Sequence, residues 1–384
     1  MLWTPTHNFK LPPNPVMERY VGSSPNIEKA LAALTKIVKD INSKTALDLV
    51  TANYTDSKEN EIICRMFEKE FGFHKMELFW SNESIPNAFT MTGGALINAS
   101  PGMTDSVLDA KGKRYYDQRH TYNCYVVVIT DFIRALQMTP REAMAVLLHE
   151  IGHNFDNLWT TQVQYGVYMI FGQIIIPDVV KAIYKLIFQG WYAVQKAFPK
   201  FAYAVDVITH LPYHLSIVRI PNFAALRDIA NPFALMNLIC GTRSEYYSDA
   251  FAASYGFGPD FASFTMKMSD RGKYGGAAER VVYEIPVIRS LLDCIMGPLN
   301  LLIGLIDPHP TDENRILSVR QSLENDLNDP GTPSSLKPEI KRQIQTINRY
   351  IEVDAQNNVE KGLFFQALVK YITYNSPVKY FYHR

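Results

Sequence analysis

Within the run "AVLLHEIGHNFDN", from Ala145 to Asn157, two histidines stand four residues apart and a glutamate follows the first. On a helix, residues i and i+4 share a face one turn apart, so His149 and His153 can present imidazole nitrogens to one metal ion. Glu150 is rotated about 100° from His149. That angle keeps its carboxylate out of the ligand set and leaves it free to hold a water on the metal and take its proton. The preceding run "AMAVLL" is apolar, so the helix is expected to be buried rather than solvated. Two buried imidazoles with no shared partner would be costly. Residue types and spacing therefore read as a catalytic zinc site, not as an amphipathic helix that happens to carry histidines.

The third ligand sets the class of site. In the pattern HExxHxxGxxH a histidine supplies it, but here Asp156 and Trp159 occupy the glycine and last histidine positions, which excludes that class. The other common arrangement takes a glutamate from a downstream helix, followed four residues later by an acid. The segment "GTRSEYYSDAFAASYG" offers Glu245 as the ligand and Asp249 one turn on. Asp249 is then placed to accept the free ring N–H of a liganding histidine and fix its tautomer. Its aromatic and alanine-rich surroundings favour burial over a solvated face. A rival pair, His210 and His214 in "HLPYH", is divided by Pro212, which disrupts a regular helical turn, and reads as structural or as a loop near the cleft. Three protein ligands leave a coordination position open, whereas a structural zinc site is usually closed by four.

The elements that must hold these residues are legible in outline. Thr139, Pro140 and Glu142 form a cap, a first-turn proline and a capping box, so the histidine helix starts at a defined place. Ser24 and Pro25 open an earlier helix in which Ile27, Leu31, Leu34, Val38 and Ile41 recur at helical spacing; "SKENEIICRMFEKEF" reads as a second. "KMELFW" and "NCYVVVIT" read as strands, and the short extended runs "NAFTM" and "ALINA" around Gly93-Gly94 as a hairpin or tight strand-to-strand step. From Asn157 to Pro177 no residue is charged, yet the run holds Gln162, Gln164 and Gln173, and its densest apolar part falls short of the roughly 20 residues a spanning helix needs. A buried helical hairpin is the first reading of that region, and a membrane-surface or re-entrant hairpin the second. The last third is mostly helical, with a polar break at "NDPGTPSSLKP".

Composition narrows the partners. Lys+Arg and Asp+Glu both total 38 in 384 residues, so no global field recruits nucleic acid or an anionic membrane. Cys64, Cys124, Cys240 and Cys294 lie far apart among apolar neighbours with no CxxC, and are expected to be reduced, buried thiols. The start of the chain carries no apolar signal-peptide region, which favours a cytoplasmic, reducing setting with no secretory signal.

Taken in order, four segments resemble a known family. "NAFTMTGG" (Asn87 to Gly94) resembles its NAFxxPGG segment, and "TPREAMAVLLHEIGH" its HExxH helix. "RSEYYSDAFAA" resembles its R-x-x-E-x-x-A-D-x-x-A helix, and "HPTDENR" (His309 to Arg315) its late HPxxxxR motif. The family is metallopeptidase family 48, gluzincins typified by the heat-shock protease HtpX and the CaaX prenyl protease. Thr92 stands where the family has proline, and Ser248 where it has alanine. Spanning helices common in the family are not evident, which points to a soluble or peripheral member.

The resemblance implies an α+β fold: a mostly helical zincin-type metallopeptidase with a small β-sheet edging the active-site cleft. It implies an N-terminal arm with helices over 1–75, a peptidase core over 76–325 that includes an apolar hairpin at 157–215, and a C-terminal helical segment over 326–384. One zinc ion is expected on His149, His153 and Glu245, with Glu150 as general base and Asp249 and Arg315 supporting the ligands. His309 would help to stabilise the oxyanion, Arg315 would hold its loop, and Asn87, Ala88, Phe89, Gly93 and Gly94 would line the cleft edge. The substrate would be an extended peptide or protein paired to that edge through its backbone. No nucleic-acid partner is expected; a peripheral membrane contact, if any, would run through 157–190. The alternative is a non-catalytic, zinc-stabilised scaffold or binding protein that retains the fold.

Overall fold

A computed structural model describes residues 20–73, 75–81, 107–108, 114–115, 123–153, 193–194, 196–201, 245–269, 285–304, 310–360 and 363–375. Helix α1 (Pro25–Ser43) begins where Ser24 accepts from the Asn26 N–H and proline takes the first helical position. Its apolar stripe is buried through Ile27, Leu34, Ile37, Val38 and Ile41. A one-turn helix α2 (Ala46–Leu49) leads to α3 (Lys58–Phe71), capped by Ser57. Gly72 ends α3 at φ 72°, a left-handed conformation that costs glycine nothing.

Strand β1 (Lys75–Ser81) turns Met76, Leu78 and Trp80 inward. Asn60 ties α3 to it, donating to the Leu78 carbonyl and accepting from the Trp80 indole N–H, each at 2.9 Å. A short antiparallel pair follows, β2 (Val107–Leu108) with β3 (Arg114–Tyr115). Strand β4 (Asn123–Ile129) then pairs with β1 in parallel, Leu78 opposite Val126 and Trp80 opposite Val128. Helices dominate the fold, in line with the mostly helical expectation. The residues expected to edge the cleft, 87–98, lie outside those described.

After the short helix α4 (Thr130–Ala135), helix α5 covers residues 140–153. Its capping box is formed: the Thr139 N–H donates to Glu142 Oε2 at 2.7 Å and the Glu142 N–H to Thr139 Oγ1 at 3.1 Å. Helix α6 covers residues 245–252 and runs through a π-helical turn, Ala253–Phe257, into α7 (Gly258–Ser269). Buried Glu142 also accepts from Ser263 at 2.6 Å and Lys267 at 2.7 Å, which fixes the start of α5 against α7. Helices α8 (Pro286–Gly304), α9 (Asp312–Asn328), α10 (Lys337–Glu360) and α11 (Phe364–Tyr374) complete the described chain.

One apolar core runs through α1, α3, β1, β4, α5, α6, α7, α9 and α10. Phe71 bridges the N-terminal helices to the site helices, its ring 5.6 Å from Phe251 and 5.7 Å from Tyr255. Such aromatic pairs add about 0.5–1.5 kcal/mol each beyond the area they bury. One expectation is corrected here. Cys294 is an exposed free thiol and Cys64 is only half-buried. Apolar neighbours misled at Cys294, because α8 turns Val287, Leu291 and Ile295 outward beside it. Among the described residues no helix is long and apolar enough to cross a membrane. The stretch 157–190, uncharged as far as Pro177, is not among them.

Candidate active site

Helices α5 and α6 meet at Gly152. A Cβ built there would lie 2.8 Å from Ser248 Cα, closer than real side chains come, and a tight 3.1 Å from Phe251 Cβ. Glycine in a helix interior costs about 1 kcal/mol relative to alanine. Here it allows the close approach that brings Glu245 up to the two imidazoles. The sequence reading passed over Gly152, although a glycine inside a strong helical pattern is a signal of tight packing.

The chemistry-bearing atoms converge. His149 Nε2 and His153 Nε2 face each other at 3.0 Å. Glu245 Oε2 lies 3.4 Å from His149 Nε2, and Oε1 lies 3.4 Å from His153 Nε2. One ligating atom from each of these residues falls within 4.8 Å of the others. A tetrahedral metal with bonds of about 2.0–2.2 Å holds its ligand atoms roughly 3.3–3.6 Å apart, close to the 3.0 and 3.4 Å separations here, so this group could hold a metal ion. The charges agree with that fit. Buried Glu245 and Asp249 both pair with the Arg315 guanidinium and buried Glu150 lies beside His149, so the carboxylates outnumber the guanidinium, an imbalance that a divalent cation would offset. Glu150 stands beside the ligands, its Oε1 4.0 Å from His149 Nε2.

A supporting layer lies behind. Asp249 Oδ1 is 2.8 Å from His149 Nδ1, which leaves Nε2 of that ring for the metal side. Arg315, from the first turn of α9, forks onto Asp249, with Nη2 to Oδ1 at 2.7 Å and Nε to Oδ2 at 3.0 Å. The same Nη2 is 3.2 Å from Glu245 Oε2. Phe261 of α7 stacks on His149 at 5.4 Å and lies 5.0 Å beneath the guanidinium. Nothing in the sequence marked Phe261, because it lies outside every motif and reads as an ordinary core residue. Thus His149, Glu150, His153, Glu245, Asp249 and Arg315 are brought together. His309, Asn87, Ala88, Phe89, Gly93 and Gly94 lie outside the described residues, as do His210 and His214.

Burial and neighbours push the two imidazoles apart in pKa. Burial works against charge on His149, but hydrogen bonds to Asp249 and Glu245 outweigh it and raise its pKa to about 9. Burial lowers that of His153 to about 3; Glu245 opposes the shift, and the charges of His149 and Arg315 reinforce it. Burial also opposes charge on Arg315, yet Asp249 and Glu245 hold it firmly protonated. The sign for His149 follows from linkage. In metal-free protein its raised pKa contributes stability that is complete below pH 6.5 and lost as pH rises through about 9. Ligation needs a neutral ring, so metal uptake at pH 7 is expected to expel the His149 proton. Apparent metal affinity should then climb about tenfold per pH unit toward pH 9. Calorimetry in buffers of different ionisation enthalpy reads the proton directly; uptake without proton release would contradict the assignment.

A helix bearing two histidines and a glutamate is met here by a second glutamate from a buried neighbouring helix, and His149, His153 and Glu245 form a group that could hold a metal ion. The model of Peptidase family M48 matches residues 55–323, and the chain belongs to that family. Peptidases of the family are generally metal-dependent. Comparison with curated proteins and with solved structures gave no match.

Proposed function

We propose that this protein is a zinc-dependent endopeptidase that hydrolyses extended peptide or protein substrates. The observation that carries the reading is the convergence of His149, His153 and Glu245 within 4.8 Å, beside the carboxylate of Glu150. Two imidazoles and a carboxylate are a borderline donor set that suits zinc, and three protein ligands leave a position for substrate. Zinc held there supplies Lewis acidity, lowering the pKa of water to about 7 and polarising the scissile carbonyl.

The chain's own residues supply the rest. Glu150 accepts the proton of the attacking water at its carboxylate and returns it to the leaving amine. Asp249 fixes the ring of His149, and Arg315 seats Asp249 through its fork. Burial of His149, Glu150 and Glu245 limits the access of bulk water and strengthens each of these interactions. His309 is assigned to the oxyanion, with Arg315 also holding its loop. Asn87, Ala88, Phe89, Gly93 and Gly94 are assigned to substrate binding, with an extended peptide held through its backbone. The core is assigned to 76–325, between an N-terminal segment 1–75 and a C-terminal segment 326–384. The setting is cytoplasmic, with any membrane contact peripheral and through 157–190.

Metal removal tests the reading. Purified protein should cleave a quenched fluorescent peptide, lose that activity on treatment with a strong chelator, and regain it with one equivalent of zinc. Activity that survives complete metal removal would overturn it.

A further inference from the structure

Helix α9 carries Arg315, and its opening turn is held from two sides. Glu313 and Arg315 are two residues apart, so their side chains leave the helix about 200° apart. Arg315 goes to Asp249. Glu313 goes away from the metal centre and meets Lys370 of α11, whose Nζ lies 3.7 Å from Oε1. Lys370 is only 4% exposed. Its ammonium donates to both oxygens of Asp354 on α10, at 2.8 and 2.7 Å, and the Tyr374 hydroxyl donates to Asp354 Oδ2 at 2.8 Å. Helix α11 is anchored separately at its start, where Asp293 of α8 accepts the Phe365 N–H at 2.6 Å and the Gln366 N–H at 3.3 Å. Helices α10 and α11 both lie beyond residue 323, where the family match ends.

A buried lysine needs a reason. Lysine is almost never fully buried unless paired, and a buried ion pair adds little net stability over apolar packing of the same volume. What directional charged contacts do add is position. Lys370 hydrogen-bonds Asp354 of α10 and forms an ion pair at 3.7 Å with Glu313 of α9, so the opening turn of α9 is tied to the two C-terminal helices. Arg315 sits two residues further along that turn, and Asp249 and His149 follow from it.

We propose that Lys370 is a positioning residue for the metal centre: through Glu313 it holds the first turn of α9 so that Arg315 stays seated on Asp249. The inference rests on the zinc reading above. Lys370 touches neither substrate nor ligand, and its effect passes through Arg315 and Asp249 to the orientation of the His149 ring. Loss of such outer support typically weakens metal binding about 10- to 100-fold.

The test uses the full chain. Lys370→Met should bind zinc about tenfold more weakly, measured by competition with a chromophoric chelator. With zinc saturating, kcat should fall while KM stays near wild type, since no peptide contact is altered. Asp293→Ala is the control. It removes the α11 cap and lowers thermal stability, yet should leave zinc affinity unchanged. If Lys370→Met fails to fold, Glu313→Gln keeps the Lys370–Asp354 pair and carries the same expectation. Wild-type zinc affinity in the variant that folds would overturn the proposal, as would an equal loss of affinity in Asp293→Ala. Wild-type protein that takes up no zinc would overturn the metal reading, and this inference with it.

Discussion

Glu150→Gln is expected to fold and load zinc as wild type does, while peptide hydrolysis falls by about 10²- to 10⁴-fold. Glutamine keeps the length and shape of the side chain, so the packing of a residue 6% exposed on α5 is preserved. It cannot accept a proton at the working pH. None of the three proposed ligands is touched, since His149, His153 and Glu245 converge without Glu150. The comparison needs zinc content, a circular dichroism spectrum and kcat on one quenched peptide for both proteins. Normal zinc with lost turnover separates a general base from a structural residue. Turnover within a few-fold of wild type would remove Glu150 from the mechanism. The same experiment bears on a zinc-stabilised scaffold, for which wild type itself should show no turnover.

How much of this was legible in the sequence depends on the range of the interaction concerned. The spacing of His149 and His153 is local, and helical geometry alone puts both rings on one face. The Thr139–Glu142 box is local too, and both of its hydrogen bonds are present. Glu245 and Asp249 lie about a hundred residues further on, yet the one-turn spacing between them was itself a pattern. By contrast, the contact of Arg315 with His149 spans 166 residues, and that with Asp249 spans 66. The resemblance supplied Arg315 as a support of the ligands and of the loop of His309; only the fold shows its fork on Asp249. Phe261 and Gly152 matter because of what packs against them, and a sequence does not print its neighbours. Lys370, Asp354 and Glu313 belong to no motif and stand on three different helices, so only the fold brings them together. The parallel pairing of β1 with β4 was hidden as well, since strand patterns mark strands and not their partners.

Glu245→Ala should have the second large effect. The change removes one of three protein ligands and takes a carboxylate away from Arg315 Nη2, which lies 3.2 Å from Oε2. Zinc affinity should fall by well over a hundred-fold, beyond the roughly 10- to 100-fold loss typical of an outer partner such as Asp249. Activity should vanish at trace zinc. Excess zinc should restore little of it, because water would take the empty ligand position and the site geometry would loosen. Titration against a competing chelator measures the effect. A loss no larger than that of Asp249→Asn would show that Glu245 is not a ligand.

The central claim is that one metal ion sits between His149, His153 and Glu245. X-ray absorption at the zinc edge on zinc-loaded wild-type protein, with the metal counted in the same sample, tests it most directly. The expected result is one zinc per chain, with two imidazole nitrogens at about 2.0–2.1 Å, the rest of the shell oxygen, and no sulfur. A sulfur shell near 2.3 Å, a single imidazole, or protein that keeps no zinc after gel filtration would contradict it.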